Sequence, residues 1–293
     1  MFARRAFLAA AVPALLAGCS SQRWEAGAAK ASESPSPSPS AEPSIEPSPT
    51  PSPTPSPTKP APPASPPEVH DVNWYLRRAP SFGPPPAPEP VTVPDGEKTP
   101  WWSRVPTTQK VAFITIDDGG MTRTTDALQF IQRAKIPVTL FLNSPAAASY
   151  TSYFKAIKDT GASIQDHTVT HRKLKGQSYD FQRQEIEDCA NRIQELFGER
   201  PYLFRPPFGD YDDITLKAAR DCGMRVSFFW TQTVDNGKVF YQTTAEVIKP
   251  GDVMLMHFRP NLADDLLGAL KAMKNSGLTP ARLEDYIPRP SPA

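Results

Sequence analysis

The sequence predicts an α/β protein whose parallel strands form a distorted (β/α) barrel, preceded by a disordered proline-rich linker. From Lys110 onward, short apolar β-branched runs alternate with segments of helical periodicity. Near-continuous apolar strands are typical of a parallel sheet covered by helices. About six such strands are visible, and a barrel of about seven is expected because that number can close a sheet. Most of the 36 prolines precede residue 107, where they disfavour continuous helix or sheet.

The strands and helices are predicted in alternation along the chain. Strands are expected at 111–116, 138–142, 162–165, 202–204, 224–230 and 253–256. Helices are expected at 122–134, 145–159, 178–197, 214–222 and 262–274. Helix 178–197 has the clearest apolar face, and Gly198 follows it as a C-terminal cap. The barrel is therefore predicted at 107–287, with a short tail at 288–293.

The first residues predict an export signal and a lipid anchor. Residues 1–18 carry Arg4 and Arg5 before an apolar run that is too short to span a bilayer. Leu16-Ala17-Gly18-Cys19 resembles a bacterial lipobox, so Cys19 is expected to be lipidated. The arginine pair fits either Sec or twin-arginine export. The protein is thus expected outside the cytoplasm, anchored to the membrane and facing the cell wall.

Two further segments are predicted between the anchor and the barrel. Residues 19–67 are expected to form a disordered spacer, and the low-complexity Ser-Pro, Thr-Pro and Ala-Pro stretch at 32–67 within it predicts an extended reach of roughly 100 Å. Residues 68–106 contain apolar groups at Val72 to Leu76 and at Trp101-Trp102. This segment is expected to form a strap over the folded domain.

Charge and cysteine content exclude some classes of function. The net charge of +1 gives no reason to expect nucleic acid as a partner, and a monomer is expected. The three cysteines are too few for a disulfide scaffold and lack the spacing of a structural zinc site. Cys189 and Cys222 fall in consecutive predicted helices. Export would permit a disulfide between them, but two packed thiols are the favoured interpretation.

Polar residues fall at the C-terminal ends of the predicted strands, where chemistry sits in barrels of this type. His167 and His171 have a spacing that would put two imidazoles on one face of a helical turn, which suits zinc. Taken singly, each residue has a plainer explanation: a helix cap for the aspartates, a surface pair or a core residue for the histidines. The set comprises Asp117, Asp118, His167, His171, Arg205, Asp235 and His257.

Four ordered motifs in this set resemble the polysaccharide deacetylase family, carbohydrate esterase family 4. Thr115-Ile116-Asp117-Asp118-Gly119 is similar to its Thr-Phe-Asp-Asp-Gly segment, and His167-Thr168-Val169-Thr170-His171 to its His-Ser/Thr-x-x-His segment. Arg205-Pro206-Pro207-Phe208 and Leu255-Met256-His257 match two later motifs. The family's fold is a distorted (β/α) barrel, in agreement with the pattern of strands.

The resemblance implies a metal centre and an acid–base pair. Asp118, His167 and His171 would bind Zn²⁺ or another divalent transition metal and leave positions open for water and substrate. Asp117 is implied as the general base, and Arg205 would keep it ionised. As neighbours on a strand, Asp117 and Asp118 should point opposite ways, so the chain is expected to turn there, at Gly119-Gly120.

The remaining roles concern the leaving group and the substrate. His257 is implied as the general acid, supported by Asp235. The N–H of Phe208 would help to hold the oxyanion. Leu255 and Trp230 would line the acetyl pocket, although both could equally belong to the core. The family usually has Asp-Trp near this point, whereas here Asn236 follows Asp235.

The implied activity is hydrolysis of N-acetyl groups on a polysaccharide, a reaction on linear amides that releases acetate. Peptidoglycan is the expected substrate, because a lipid anchor and a long spacer would hold the domain among cell-wall glycans. Two alternatives stay open. One is an O-acetyl esterase of the xylan type with the same site, and the other is a catalytically silent wall-binding lipoprotein.

Overall fold

The computed structural model describes residues 70–289. The predicted signal peptide at 1–18, the lipidation site Cys19, the spacer at 19–67 and the end of the predicted tail lie outside the described residues. In the described part, no helix has the length and apolar character needed to cross a membrane.

One sheet of ten strands runs through the described residues. Its strands are β1 (Trp101–Trp102), β2 (Val111–Asp118), β3 (Val138–Leu142), β4 (Ser163–Asp166), β5 (Leu203–Phe204), β6 (Val226–Phe228), β7 (Gln232–Asp235), β8 (Lys238–Tyr241), β9 (Val253–His257) and β10 (Thr279–Ala281). The order of neighbours is β1-β6-β5-β4-β3-β2-β9-β7-β8, and β10 pairs with β2 beside this path. Only the β7–β8 pair is antiparallel. The predicted distorted barrel is confirmed as a curled parallel sheet.

Helices cover the outer face of this sheet. They are α1 (Val72–Arg78), α2 (Thr125–Ala134), α3 (Ser144–Ser149), α4 (Thr151–Lys158), α5 (Tyr179–Phe197), α6 (Asp213–Asp221), α7 (Leu262–Asn275) and α8 (Leu283–Tyr286). The predicted single helix at 145–159 is two helices, because Tyr150 leaves helical geometry with φ −129° and ψ 34°. The hydroxyl of Thr151 then donates to the carbonyl of Ala147, which competes with regular helical bonding.

Apolar residues on the two faces of each strand form two separate parts of the core. Val111, Phe113 and Val253 are fully buried and pack with the other residues that fill the barrel interior. Ala112 and Ile114, which alternate with them, pack against the helices.

Cys189 and Cys222 are both buried free thiols. The structure therefore has the two packed thiols that the sequence favoured over a disulfide.

Part of the predicted strap belongs to the sheet. β1 pairs in parallel with β6, and the N–H of Val105 donates to the carbonyl of Gly251 at 2.8 Å, just before β9. Arg104 makes an antiparallel bridge with Asp252. The segment from β1 to Val105 therefore connects β6 to the start of β9 across the side where the sheet would otherwise be open. The strand predicted at 224–230 is shorter in the structure, where β6 is Val226–Phe228.

The stretch that departs from the family pattern forms a β-hairpin, which the sequence analysis did not predict. Asn236 and Gly237 have φ of 52° and 71°, as a two-residue hairpin turn requires. The turn lies against α7, where the N–H of Gly237 donates to Asp265 Oδ1 at 2.8 Å. Gly268 of α7 allows this approach, because a Cβ there would overlap the Gly237 carbonyl oxygen.

Candidate active site

Strands β2 and β9 direct four side chains to the mouth of the barrel. They pair in parallel with Thr115 opposite Leu255 and Asp117 opposite His257. In-register neighbours in a parallel sheet point to the same side, so all four side chains share the inner face. Thr115, Asp117 and Leu255 are buried, and His257 is partly exposed at the end of β9.

The backbone turns at Asp118, so its carboxylate lies beside that of Asp117 rather than on the opposite face, and both are within 4 Å of His167 Nε2. The φ of Asp118 is 78° and that of Gly119 is 87°, and aspartate is among the few non-glycine residues that adopt such values. The expected turn after Asp117 is confirmed, but it begins one residue earlier than predicted, at Asp118 itself. Gly119 is required next, because a Cβ there would lie 2.8 Å from the ring of Phe154.

The predicted helical turn at 167–171 is wrong, although the two imidazoles do meet. Thr168 and His171 have φ of 69° and 55°, which a right-handed helix excludes. The segment is a loop fixed by side chains: the N–H of Thr168 donates to Asp166 Oδ1 at 3.0 Å, and the N–H of His171 donates to Thr168 Oγ1 at 3.2 Å. The ring centroids of His167 and His171 are 4.9 Å apart.

Asp118, His167 and His171 fit a divalent metal ion. Asp118 Oδ1 lies 3.5 Å from His167 Nε2 and 3.2 Å from His171 Nε2, and the three ligand atoms lie within 4.8 Å of one another. Asp118 Oδ1 is buried without a hydrogen-bond partner. His167 Nδ1 is 2.7 Å from the carbonyl of Arg205. Nδ1 therefore carries the proton, which leaves the Nε2 lone pair for a metal.

The charges in this cluster support the same interpretation. Burial would raise the pKa of Asp118, but the adjacent imidazoles of His167 and His171 outweigh burial and hold that pKa far below its usual range. Burial would lower the pKa of His167, but the carboxylates of Asp117 and Asp118 raise it. Asp118 thus stays a carboxylate, the form in which it can bind a metal ion.

Arg205 forms a buried ion pair with Asp117. Its guanidinium is fully buried, with Nη1 at 2.7 Å from Asp117 Oδ1 and 2.8 Å from Thr115 Oγ1. Nη2 donates to the carbonyl of Phe229 at 3.1 Å. Burial lowers the pKa of Arg205, and the charge of Asp117 opposes that effect. The second oxygen of Asp117 stays free of Arg205 and lies 3.8 Å from His167 Nε2, so it faces the candidate metal centre.

His257 does not have the partner that the sequence analysis predicted. Among the described residues, no ion pair or hydrogen bond joins it to Asp235. The Asp235 carboxylate instead lies 2.9 Å from Arg259 Nη1, because the hairpin turns its strand end toward α7. Burial lowers the pKa of His257, although the carboxylates of Asp117 and Asp118 act in the opposite direction.

Comparison with known proteins identifies the family. A family model described as polysaccharide deacetylase matches residues 104–227. An uncharacterized protein of Streptomyces coelicolor is 35% identical over 188 residues, covering 62% of this chain and 75% of that protein. The chain belongs to the polysaccharide deacetylase family. As a member of this family it is a deacetylase-type hydrolase. A peptidoglycan-N-acetylglucosamine deacetylase of Bacillus cereus is 27% identical over 57% of this chain and 81% of that protein.

Solved structures share the fold of this deacetylase domain. A peptidoglycan N-acetylglucosamine deacetylase has a TM-score of 0.56 at 21% identity, covering 66% of this chain and 95% of that one. A carbohydrate esterase family 4 pseudoenzyme of Bacillus anthracis has a TM-score of 0.50 at 20% identity, covering 59% and 64%. Since the same fold occurs with and without activity, the residues of the site must decide what this deacetylase domain can do.

The predicted substrate-binding residues of the deacetylase domain lie around the candidate metal site. Phe208 has φ 63° and is 58% exposed, and its ring centroid lies 4.8 Å from that of His171. Its N–H has no backbone acceptor among the described residues, so it is free for a ligand. Trp230 is partly exposed, with its ring 5.9 Å from the Arg205 guanidinium carbon. Leu255 is 3% exposed beside Asp117.

Glu185 of α5, which no sequence motif indicated, supports the loop that carries the candidate metal ligands His167 and His171. Its carboxylate accepts the N–H of Thr170 and the hydroxyl of Thr170, both at 2.8 Å. Glu185 is 6% exposed. A usable signal was present, because Glu185 and Gln182 are polar residues on the otherwise apolar inner face of α5. A buried carboxylate without a cation implies hydrogen-bond donors nearby.

Proposed function

We propose that this chain is a metal-dependent deacetylase that hydrolyses N-acetyl groups of peptidoglycan glycan chains. One observation carries the proposal: three candidate metal ligands lie beside a carboxylate held by a buried arginine, and a histidine lies next to that carboxylate at the same barrel mouth. Asp117 and His257 are direct neighbours in the β2–β9 pairing. A water and an acetamide group between them would meet a base and an acid.

Asp118, His167 and His171 would hold the metal, with Zn²⁺ favoured by the donor set of two imidazoles and one carboxylate. A bound Zn²⁺ supplies an acidic water and polarises the acetamide carbonyl. The chain's own residues supply the rest. Asp117 takes the water proton at its free oxygen, while Arg205 keeps that carboxylate oriented. The N–H of Phe208 donates to the developing oxyanion.

His257 gives a proton to the leaving amine. Its position at the end of β9 next to Asp117 suits this step, which an amide requires more than an ester because an amine anion is a poor leaving group. Asp235 has no part in it, since that carboxylate is paired with Arg259. The pocket for the acetyl methyl group would be closed by Leu255 and Trp230.

The choice of peptidoglycan rests on location and on relatives. Two similar curated proteins are peptidoglycan deacetylases of Bacillus species, one acting on N-acetylglucosamine and one on N-acetylmuramic acid. Another relative is a bifunctional xylanase/xylan deacetylase, whose length the match covers by only 27%. We include lipidation at Cys19, export and exposure to the cell wall in the proposal. Loss of labelled palmitate from a Cys19→Ser variant tests the anchor.

Acetate release tests the activity. The zinc-loaded full chain is incubated with peptidoglycan, chitin oligomers and acetylated xylan, beside Asp117→Asn and His257→Ala variants whose folding is checked by thermal unfolding. Acetate from peptidoglycan that chelator and both substitutions abolish supports the proposal. Acetate from xylan alone makes the protein an O-acetyl esterase. A protein that binds metal but releases acetate from none of the three glycans contradicts the proposed substrates. A protein that binds no metal supports the alternative of a catalytically silent wall-binding lipoprotein.

A further inference from the structure

A row of four aromatic rings leads away from the metal centre along the rim of the barrel. Trp230 stacks on Phe229 with centroids 4.0 Å apart, Phe229 lies 5.6 Å from Trp101, and Trp101 lies 4.0 Å from Tyr211. All four residues are partly exposed. We call these four residues the aromatic ledge. Its inner end is Trp230, beside Arg205.

The loop after β5 is shaped to carry this ledge. Gly209 has φ 65°, and a Cβ there would overlap the ring of Phe229 and lie 3.1 Å from Trp230. The rings of Phe229 and Trp230 therefore rest directly on the backbone of the Arg205–Gly209 loop. The preceding residue of that loop is Phe208, whose ring makes an edge contact with the ring of His171. The loop that supports the ledge therefore also carries an aromatic residue in contact with a candidate metal ligand.

Trp101 is not needed to hold β1 in the sheet. The adjacent Trp102 packs with the barrel interior and makes an edge contact with Phe228. Because side chains alternate along a strand, Trp101 points to the other side and meets Tyr211 and Phe229 there. Trp101 also precedes the residues matched by the family model, which begin at 104. Phe229 and Trp230 follow the last matched residue, 227, so three of the four ledge residues lie outside the matched region.

Charged groups lie between the ledge and Phe208. The Asp210 side chain is 29% exposed, and its two oxygens lie 3.7 Å from Lys173 Nζ and from Lys175 Nζ. Asp210 directly precedes Tyr211 in the chain. An apolar ring face beside donors and acceptors matches the surface of a sugar ring, which has C–H groups on its faces and hydroxyl and amide groups at its edge.

We propose that the aromatic ledge binds sugar residues of an N-acetylhexosamine chain on one side of the residue being deacetylated, with Trp101 as its outer contact. This inference rests on the proposed function for the class of glycan. It predicts that the enzyme prefers long chains to short ones. A chain of two sugars would reach the metal centre and Trp230 but would leave Trp101 uncovered.

The test compares N-acetylchitohexaose with N-acetylchitobiose as probes. Binding is measured by calorimetry with the chelator-treated full chain, so that no turnover occurs, and KM and kcat are measured with the zinc-loaded chain. Trp101→Leu keeps an apolar side chain but removes the aromatic face. Trp74→Leu is the matched control, because Trp74 is a partly buried tryptophan on α1 that stacks on His70.

We expect Trp101→Leu to weaken hexaose binding and to raise KM for hexaose about tenfold, the effect of roughly 1.4 kcal/mol of aromatic contact. The value of kcat and all constants for chitobiose should stay unchanged, as should every constant of Trp74→Leu. If Trp101→Leu unfolds at lower temperature, Tyr211→Leu provides the same comparison at the end of the row.

Unchanged hexaose binding in Trp101→Leu, or wild-type binding of hexaose no tighter than that of chitobiose, overturns the proposal. If the protein binds hexaose through Trp101 but releases no acetate, the result supports binding at the aromatic ledge and contradicts the proposed function. If the wild-type protein and Trp101→Leu both release acetate equally from the two probes, the result supports deacetylation and contradicts glycan binding at the aromatic ledge.

Discussion

Glu185 offers a direct test of how the metal-binding loop is held. Its carboxylate accepts two hydrogen bonds from one residue, Thr170, which directly precedes His171. Each hydrogen bond to a charged acceptor contributes about 1.5–3 kcal/mol. Replacing Glu185 by Ala removes the carboxylate that fixes the N–H and hydroxyl of Thr170, an exposed residue whose position then depends on the rest of the loop. We therefore expect the loop to relax and His171 to lose its position.

The expected magnitude follows from the role of groups behind metal ligands. Loss of such a group weakens metal affinity by about 10–100-fold, and Glu185→Ala should fall in this range for Zn²⁺. Glu185→Gln should cost much less. Its amide oxygen can accept the N–H of Thr170 while its NH₂ donates to the hydroxyl, so only the charge is lost. We expect a change in affinity of at most about threefold, roughly 0.7 kcal/mol.

Competition with a chromophoric chelator measures the Zn²⁺ dissociation constant, and thermal unfolding of the metal-free chain measures stability separately. Glu187→Gln is the matched control, because Glu187 is on the same helix but pairs with Arg200 at 2.8 Å, outside the site. Equal affinities for Glu185→Ala and wild type would refute the reasoning. So would a loss in Glu185→Gln as large as in Glu185→Ala, since that would assign the effect to charge alone.

Three further predictions concern the packing of the hairpin turn on α7, the buried carboxyl group of Asp265 and the proposed general acid His257. Gly268→Ala should lower the free energy of unfolding in urea by up to about 2 kcal/mol, because overlap with the Gly237 carbonyl costs about 1–3 kcal/mol and the gain in helix propensity offsets only about 1 kcal/mol of that cost. A stabilised variant would contradict this. Burial raises the pKa of Asp265 to about 7. The stability that its carboxyl group contributes is therefore fully present below the pKa of the unfolded chain, about 3.8, and is lost as the pH rises through 7. Asp265→Asn mimics the protonated acid and should be more stable than wild type by about 2–4 kcal/mol at pH 8 but equal at pH 4; parallel pH profiles would count against it. His257→Ala should reduce kcat/KM for an N-acetylated glycan by about 10²–10⁴ and for an O-acetylated one by much less, and equal losses on both would remove its role as general acid.

The sequence was sufficient where hydrophobic periodicity and strand order act together. All six predicted strands exist, and the polar residues at their ends lie at one barrel mouth. Asp117, Asp118 and Arg205 could be found because parallel strands bring their C-terminal ends together whatever the loops do. The contact of Arg205 with Asp117 at 2.7 Å follows from that geometry and from the attraction between a buried cation and a buried anion.

The sequence was insufficient where loops and long-range packing decide. The i, i+4 spacing of His167 and His171 suggested a helical turn, but side-chain hydrogen bonds impose positive φ values on that loop instead. Asp235 was matched by its order in the chain, whereas the position of its side chain depends on a turn that fits against α7. An Asn-Gly pair did signal that turn. Nothing in the sequence around Gly268 indicated that the hairpin turn would pack against that residue.

The way in which β1 completes the wall of the barrel bears on how this protein can be shortened. A truncated chain that starts at residue 107, where sequence periodicity begins the domain, would lack β1 and the residues up to Val105 that join β6 to β9. β6 would then be an uncovered edge strand with buried apolar residues such as Phe228, and such edges promote association between molecules. A truncation that retains Trp101 should remain soluble, whereas the shorter protein should aggregate.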